Sequence, residues 1–290
     1  MDKVVLKALA KINLGLDVVG KKANGYHEVR MIMQNINIYD KVCMKKLAED
    51  EIKLETSLSF LPVDDNNLAY RAAKLMKDEF GITQGVSIKI DKRIPVSAGL
   101  AGGSSDAAAV MIGMKKLFDI DVTKEKLKEL GVRLGADVPF CIQRGTALAE
   151  GIGEVLTELP PIKRCNLLVA KPKLFVPTKV IYQNLKLDEN TIHPDIDGLM
   201  EDMSNNDLYG MASKMGNVLE SVSISMHPII QEIKDKMLEL GAVNSLMSGS
   251  GPTVFGIFDD EDKLEEAYKK LKETNLAPYV VTTHTYDVKK

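Results

Sequence analysis

The stretch Pro95-Val96-Ser97-Ala98-Gly99-Leu100-Ala101-Gly102-Gly103-Ser104-Ser105-Asp106-Ala107-Ala108-Ala109 decides how the rest of this chain is read. Its small residues let backbone approach a ligand closely and take up positive φ. Ser104-Ser105-Asp106 then opens a helix expected to run to Phe118, whose first N–H groups and positive dipole end are turned toward the loop. Glycine-rich backbone leading into a helix N-terminus is an anion cradle, and a phosphate is the anion it suits. The Gly-Lys-Ser/Thr ending of a Walker A loop is missing, and so is the G-x-G-x-x-G spacing of a dinucleotide-binding strand and helix.

Upstream, the chain alternates in the manner of strands at Val4-Val5-Leu6, Ile12 to Val19, Glu28 to Ile38, and Val86, Ile88 and Ile90. One helix interrupts them, capped by Asn66 or Asn67, with Leu68, Ala72, Leu75, Met76 and Phe80 on its apolar face and Gly81 at its end. Downstream, a helix is expected from Thr123 to Gly135, and Thr146 to Ala149 with Glu154 to Leu159 read as a hairpin. Pro160-Pro161 marks the expected boundary between an N-terminal domain, 1–160, and a C-terminal domain, 161–290. The second half restarts with a strand at Leu167 to Ala170. Helices follow on Leu208, Met211, Met215 and Leu219, on Ile230, Ile233 and Met237 after Pro228, and on Leu264, Ala267, Tyr268 and Leu271. Strands are expected at Thr253 to Phe258 and Pro278 to Asp287, making the whole chain α+β in two domains.

Composition limits the function. With 290 residues, 38 Lys+Arg against 41 Asp+Glu and 45% hydrophobic residues, this is ordinary globular chemistry on about two domains. The net charge of −3 provides no global field for polyanions, so any phosphate must be met locally and no nucleic-acid partner is expected. Cys43, Cys141 and Cys165 form no C-x-x-C pair, which implies neither zinc nor a disulfide framework and fits a reducing cytoplasm. No apolar run approaches the roughly 18 residues of a membrane span.

Three further clusters carry chemistry. Ser248-Gly249-Ser250-Gly251-Pro252-Thr253 is a second Gly-rich loop, and paired with the first it suggests nucleotide phosphates between two domains. Ala10-Lys11-Ile12-Asn13-Leu14 places Lys11 and Asn13 on one face of an apolar strand, where a buried ammonium needs a partner. Gly135-Ala136-Asp137-Val138-Pro139-Phe140 supplies a carboxylate among apolar flanks, and a Lys–Asp pair suits phosphoryl transfer to an alcohol.

The order Lys11-Ile12-Asn13-Leu14, Gly25-Tyr26-His27-Glu28, Pro95 to Ala109, Gly135 to Pro139 and Ser248 to Thr253 resembles the GHMP small-molecule kinases, from about residue 4 to residue 258. The resemblance implies a domain similar to the second domain of ribosomal protein S5, a ferredoxin-like C-terminal domain, and a cleft between them. It implies ATP on the loop Pro95, Val96, Ser97, Ala98, Gly99, Leu100, Ala101, Gly102, Gly103, Ser104 and Ser105, with Asn67 and Lys92 on the adenine side. Asp137 becomes the expected general base and Lys11 the group that orients it and stabilises charge. Asn13, Thr178, Gly249 and Ser250 fall on the substrate side. Tyr26, His27 and Tyr182 read as holding a cytosine, one ring stacking on each face and His27 on a base edge, which asks for a cytidine-diphospho alcohol as substrate.

Mg²⁺ is expected with the ATP, held mainly by phosphates and water, and no dedicated carboxylate beyond Asp137 can be placed for it. His193, His227 and His284 have no partners at metal-ligand spacing and read as surface or structural residues. The expected protein is cytoplasmic, a monomer or a homodimer, with no membrane partner. Two rivals stand beside it: another kinase of the same superfamily acting on a base-free alcohol, and an RNA-binding module suggested by the S5-like fold alone.

Overall fold

A computed structural model describes residues 1–22 and 25–286. Asp287, at the end of the last expected strand, lies outside the described residues. The chain forms two compact units that interleave in sequence. Unit 1 holds 1–10, 38–96 and 101–144, and unit 2 holds 11–37, 97–100 and 145–290. Pro160-Pro161 thus falls inside unit 2. The interleaving comes from two long strands, β1 (Lys3–Lys21) and β2 (His27–Leu47), which contribute residues to both units.

In unit 1, β2 pairs antiparallel with β4 (Gly85–Asp91), which pairs parallel with β3 (Ile52–Thr56). Period-two burial of Val86, Ile88 and Ile90 turns that face inward. It is covered by α1 (Leu68–Phe80) and α2 (Gly102–Leu117). The Asn67 carboxamide accepts from the Ala69 N–H at 2.9 Å, and Gly81 ends α1 in the left-handed conformation, φ 63°. Gly113 of α2 lies so near β2 that a Cβ there would come within 2.2 Å of the Met44 sulfur. Thr123 caps α3 (Lys124–Val132), which stops before the expected Gly135. The chain turns through Leu134 and Gly135 into α4 (Val138–Gln143), a short buried helix entered through Asp137 and Pro139.

In unit 2, β2 pairs with β5 (Thr146–Glu150), and β5 with β6 (Val155–Glu158), as the expected hairpin. A second sheet holds β7 (Asn166–Lys171), β9 (Asn244–Met247), β10 (Val254–Phe258) and β11 (Tyr279–His284) in the order β11-β7-β10-β9, all antiparallel. With helices between β7 and β9 and between β10 and β11, that is the ferredoxin-like arrangement. Helices α5 (Thr178–Asn184), α6 (Ile196–Ser204), α9 (Ile229–Glu239) and α10 (Glu261–Glu273) flank these strands in sequence.

The single helix expected across Leu208 to Leu219 is corrected by the structure. It breaks into α7 (Leu208–Lys214), a two-residue strand β8 (Gly216–Asn217) and α8 (Glu220–Met226). The cause is tertiary: Gly216 and Asn217 pair in parallel with Gly15 and Leu16 of β1, which outweighs the weak helix preference of Gly and Asn.

Candidate active site

The glycine loop divides between the units, with 95–96 and 101–105 in unit 1 and 97–100 in unit 2. Ser97, Gly99 and Ala101 have φ of 51°, 71° and 57°. Left-handed geometry costs a non-glycine residue about 1–3 kcal/mol, so Ser97 and Ala101 are held there by their surroundings. Ala101 is the residue before α2 and offers no side-chain cap, which leaves the first N–H groups of α2 without the usual hydroxyl or carboxylate partner. The Ser105 hydroxyl donates to Leu9 O at 2.7 Å and ties the helix start to β1 within unit 1.

Beneath the loop lies a buried ionic cluster. The Lys92 ammonium donates to the Asp40 carboxylate and, at 2.6 Å, to Asp106, with its side chain only 5% exposed. Asp40 also accepts the N–H groups of Arg93 and Ile94, at 2.5 and 2.8 Å. Burial opposes the charge on Lys92, but the two carboxylates more than offset it and the ammonium's pKa is raised. Burial, with Asp40 adding to it against the pull of Lys92, pushes the Asp106 carboxyl up to about 7. Lys92 Nζ sits 3.6 Å from where a Cβ on Gly102 would be, so the expected adenine-side lysine supports the loop from below. Sequence reasoning missed Asp40 and Asp106, although Asp106 directly follows Ser104-Ser105. Asn67 spends its side chain on capping α1 and on Pro62 O.

Asp137 belongs to unit 1, half-buried at the entrance to α4, and its carboxylate does not cap that helix. A Cβ on Gly135 would come within 4.0 Å of the Ser104 hydroxyl, which sets the Gly135 to Asp137 turn beside the start of α2.

Unit 2 holds the residues expected on the substrate side. Lys11 is 4% exposed, as its apolar neighbours imply, and its ammonium donates to the Asn13 carboxamide oxygen at 2.7 Å. The Lys11 N–H donates to Leu100 O at 3.1 Å. The Ser248 hydroxyl donates to Gly99 O at 2.9 Å, and a Cβ on Gly99 would lie 2.1 Å from Ser248 O. A Cβ on Gly249 would lie 3.2 Å from Gly99 O and 3.6 Å from Lys11 Nζ. Lys11, the 97–100 segment and the second glycine loop therefore touch; Gly99 leaves no room for a Cβ against Ser248 O, and Gly249 holds a φ of 58° that favours glycine. Thr178 and Ser250 share a hydroxyl hydrogen bond at 2.8 Å.

The aromatic residues come together in part. The His27 and Tyr182 rings lie 5.1 Å apart with planes tilted 39°, and Tyr26 is 60% exposed. Burial, and then the charge of Lys21, lower the His27 pKa, which keeps the imidazole neutral at pH 7. His193 has a partner that sequence reading did not supply: its Nδ1 lies 2.7 Å from the buried Asp17 carboxylate. No group of three or more His, Cys, Asp or Glu suited to a metal ion occurs among the described residues.

Comparison with known proteins fits this arrangement. The family model "GHMP kinases N terminal domain" matches residues 67–145, and "GHMP kinases C terminal" matches 189–276. A curated relative from Lachnoclostridium phytofermentans is 55% identical over 279 residues, covering 96% of this chain and 95% of its own. The chain belongs to the GHMP kinases. The L. phytofermentans relative is named 4-diphosphocytidyl-2-C-methyl-D-erythritol kinase. A crystal structure of 4-(cytidine 5'-diphospho)-2C-methyl-D-erythritol kinase superposes with a TM-score of 0.84 at 31% identity, covering 98% of this chain and all of the other. The structure of L. major mevalonate kinase in complex with R-mevalonate shares the fold, with a TM-score of 0.80 at 15% identity over 99% of this chain and 98% of its own. In this GHMP kinase the N-terminal match contains the glycine loop and Asp137, and the C-terminal match contains the 248–253 loop.

Proposed function

We propose that this chain transfers the γ-phosphoryl group of ATP to the 2-hydroxyl of 4-(cytidine 5'-diphospho)-2-C-methyl-D-erythritol, giving the 2-phosphate and ADP in the non-mevalonate route to isoprenoid precursors. The observation that carries the choice of substrate is the His27–Tyr182 ring pair, in the same unit as Lys11, Asn13 and the Gly249 loop. A base-free alcohol gives those rings nothing to hold, whereas a pyrimidine offers both a face and a hydrogen-bonding edge. Full-length identity to the L. phytofermentans kinase of that name supports the same reading.

In this mechanism the N–H groups opening α2 and the glycine backbone hold the ATP phosphates. Asp137 accepts the proton of the substrate hydroxyl as its oxygen bonds to the γ-phosphorus and the bond to the β-phosphate oxygen breaks, releasing ADP. Lys11, oriented by Asn13, stabilises negative charge on the transferring group. Mg²⁺ bound to the nucleotide would neutralise phosphate charge. Such an ion would be carried mostly by phosphates and water, with the Ser104 hydroxyl, beside the Gly135 to Asp137 turn, and Asp137 as the protein oxygens at hand. Tyr26, His27 and Tyr182 read the cytidine, and Thr178, Gly249 and Ser250 position the rest of the substrate. The enzyme works in the cytoplasm; among the described residues no helix is long and apolar enough to cross a membrane.

Steady-state phosphorylation assays on the cytidine-diphospho substrate and on the same alcohol lacking the cytidine phosphate test the reading. Turnover confined to the first is expected. Equal rates on both would assign the chain to another small-alcohol branch of the GHMP kinases.

A further inference from the structure

The break that replaces the expected 208–219 helix brings three polar side chains, at a spacing of three residues, against the second glycine loop. Asn217, 7% exposed, donates from its carboxamide nitrogen to Met247 O and to Gly249 O, both at 2.8 Å, and its oxygen accepts the Leu219 N–H at 3.0 Å. Glu220 accepts the Met247 N–H at 2.8 Å while its other oxygen is paired with Lys234 at 2.6 Å. Ser223, fully buried, donates to Ser250 O at 3.1 Å. Four of these bonds go to backbone in the segment from Met247 to Ser250.

Two features make Asn217 central among them. Its amide is saturated, with both donors and its acceptor in use, so no other side chain of similar size reproduces the set. It also sits on β8, which pairs with β1 at Leu16, on the strand that carries Lys11 and Asn13. The peptide between Gly249 and Ser250 is trans, so with its C=O turned to Asn217 its N–H is directed to the opposite side.

We propose that Asn217 is a positioning residue for phosphoryl transfer. It fixes the orientation of the Gly249–Ser250 peptide so that the Ser250 N–H is available to an oxygen of the substrate, and Glu220 and Ser223 clamp the two ends of the same segment. The assignment rests on the reading of Gly249 and Ser250 as substrate-side residues. Nothing in it requires Asn217 to touch substrate.

The test compares the wild-type enzyme with Asn217→Asp, which keeps the shape of the side chain but sets a carboxylate against two carbonyl oxygens. The expected result is a fall of at least tenfold in kcat/KM for the cytidine-diphospho alcohol, with KM for ATP within twofold of wild type. Amide hydrogen exchange in the 247–251 segment, measured without substrate, is expected to be at least tenfold faster, with the segment around α2 unchanged. Unchanged kinetics and exchange would overturn the proposal, and so would an equal rise in both KM values, which a merely structural role would produce. Should Asn217→Asp not fold, Ser223→Ala decides the matter: a smaller change in the same direction supports the clamp, and none overturns it. A wild-type enzyme inactive on the cytidine substrate would condemn the functional reading, while the exchange measurement would still judge the clamp.

Discussion

The proposed phosphate cradle is made of backbone leading into α2, whereas the proposed substrate side in unit 2 is made of side chains and loops that hold one another. In unit 1 the parts proposed to meet the nucleotide are the N–H groups at the start of α2, and Lys92 is locked between Asp40 and Asp106. In unit 2 the charged residue is itself in the cluster, Lys11 against Asn13, bordered by Gly99, which admits no Cβ, and by Gly249 at a positive φ. A backbone cradle grips any phosphate and discriminates little between the groups attached to it. On the proposed function, discrimination falls to unit 2, which holds the side-chain cluster and the His27–Tyr182 ring pair.

Substitutions can break this division in order of effect. The largest is expected from Asp137→Asn, which removes the proposed base: kcat should fall by roughly 10²–10⁴-fold with little change in KM for ATP. Near-normal turnover would remove Asp137 from that role. Next comes Gly99→Ala, where the new Cβ would sit 2.1 Å from Ser248 O at a φ of +71°. Displacing the two loops by an ångström should cost about 10²-fold in kcat/KM. Circular dichroism of the variant checks that the fold survives. Tyr182→Ala, which removes one ring of the His27 pair, should raise KM for the cytidine substrate about tenfold, the value of a lost aromatic contact of about 1.4 kcal/mol, and leave ATP alone. The opposite pattern would mean that the two sides are interchanged.

The smallest effects are those of pH, and they run in opposite directions in the two units. The Asp106 carboxyl is raised to about 7, so its contribution to stability is complete below the ordinary carboxylate range and is lost as pH rises from about 4 through about 7. The difference in Tm between Asp106→Asn and wild type should therefore shift in favour of the variant between pH 5 and pH 8. A constant difference would contradict the protonation assigned to Asp106. The His27 pKa is lowered, so the imidazole is neutral above its ordinary value near 6.5 and becomes charged only as pH falls below it. KM for the cytidine substrate should be flat from pH 7 to 8 and rise below pH 6. That rise should vanish in His27→Gln.

What could be read from the sequence was local. The caps at Asn67 and Thr123, the Gly81 stop and the hairpin from Thr146 all depend on a few neighbouring residues, and all are in the structure; the glycine-rich loop does lead into a helix, which starts at Gly102, two residues before the expected Ser104. The burial of Lys11 followed from the apolar residues around it on β1. What could not be read depends on partners distant in sequence. Asp40 meets Lys92 across 52 positions, and β2 runs on to Leu47, beyond the expected end at Ile38, because Lys41 to Leu47 pair with β4. Gly216 and Asn217 leave the helical pattern only because β1 is there to pair with them.

The most direct test of the central claim, that unit 2 selects a cytidine-bearing alcohol while unit 1 supplies a general ATP cradle, is a competition assay. Wild-type enzyme is given ATP with an equimolar mixture of 4-(cytidine 5'-diphospho)-2-C-methyl-D-erythritol and the alcohol lacking the cytidine phosphate, and the phosphorylated products are quantified by mass spectrometry. The account predicts that the cytidine product dominates by at least a hundredfold and that Tyr182→Ala narrows the ratio. Comparable amounts of the two products from the wild-type enzyme would contradict it.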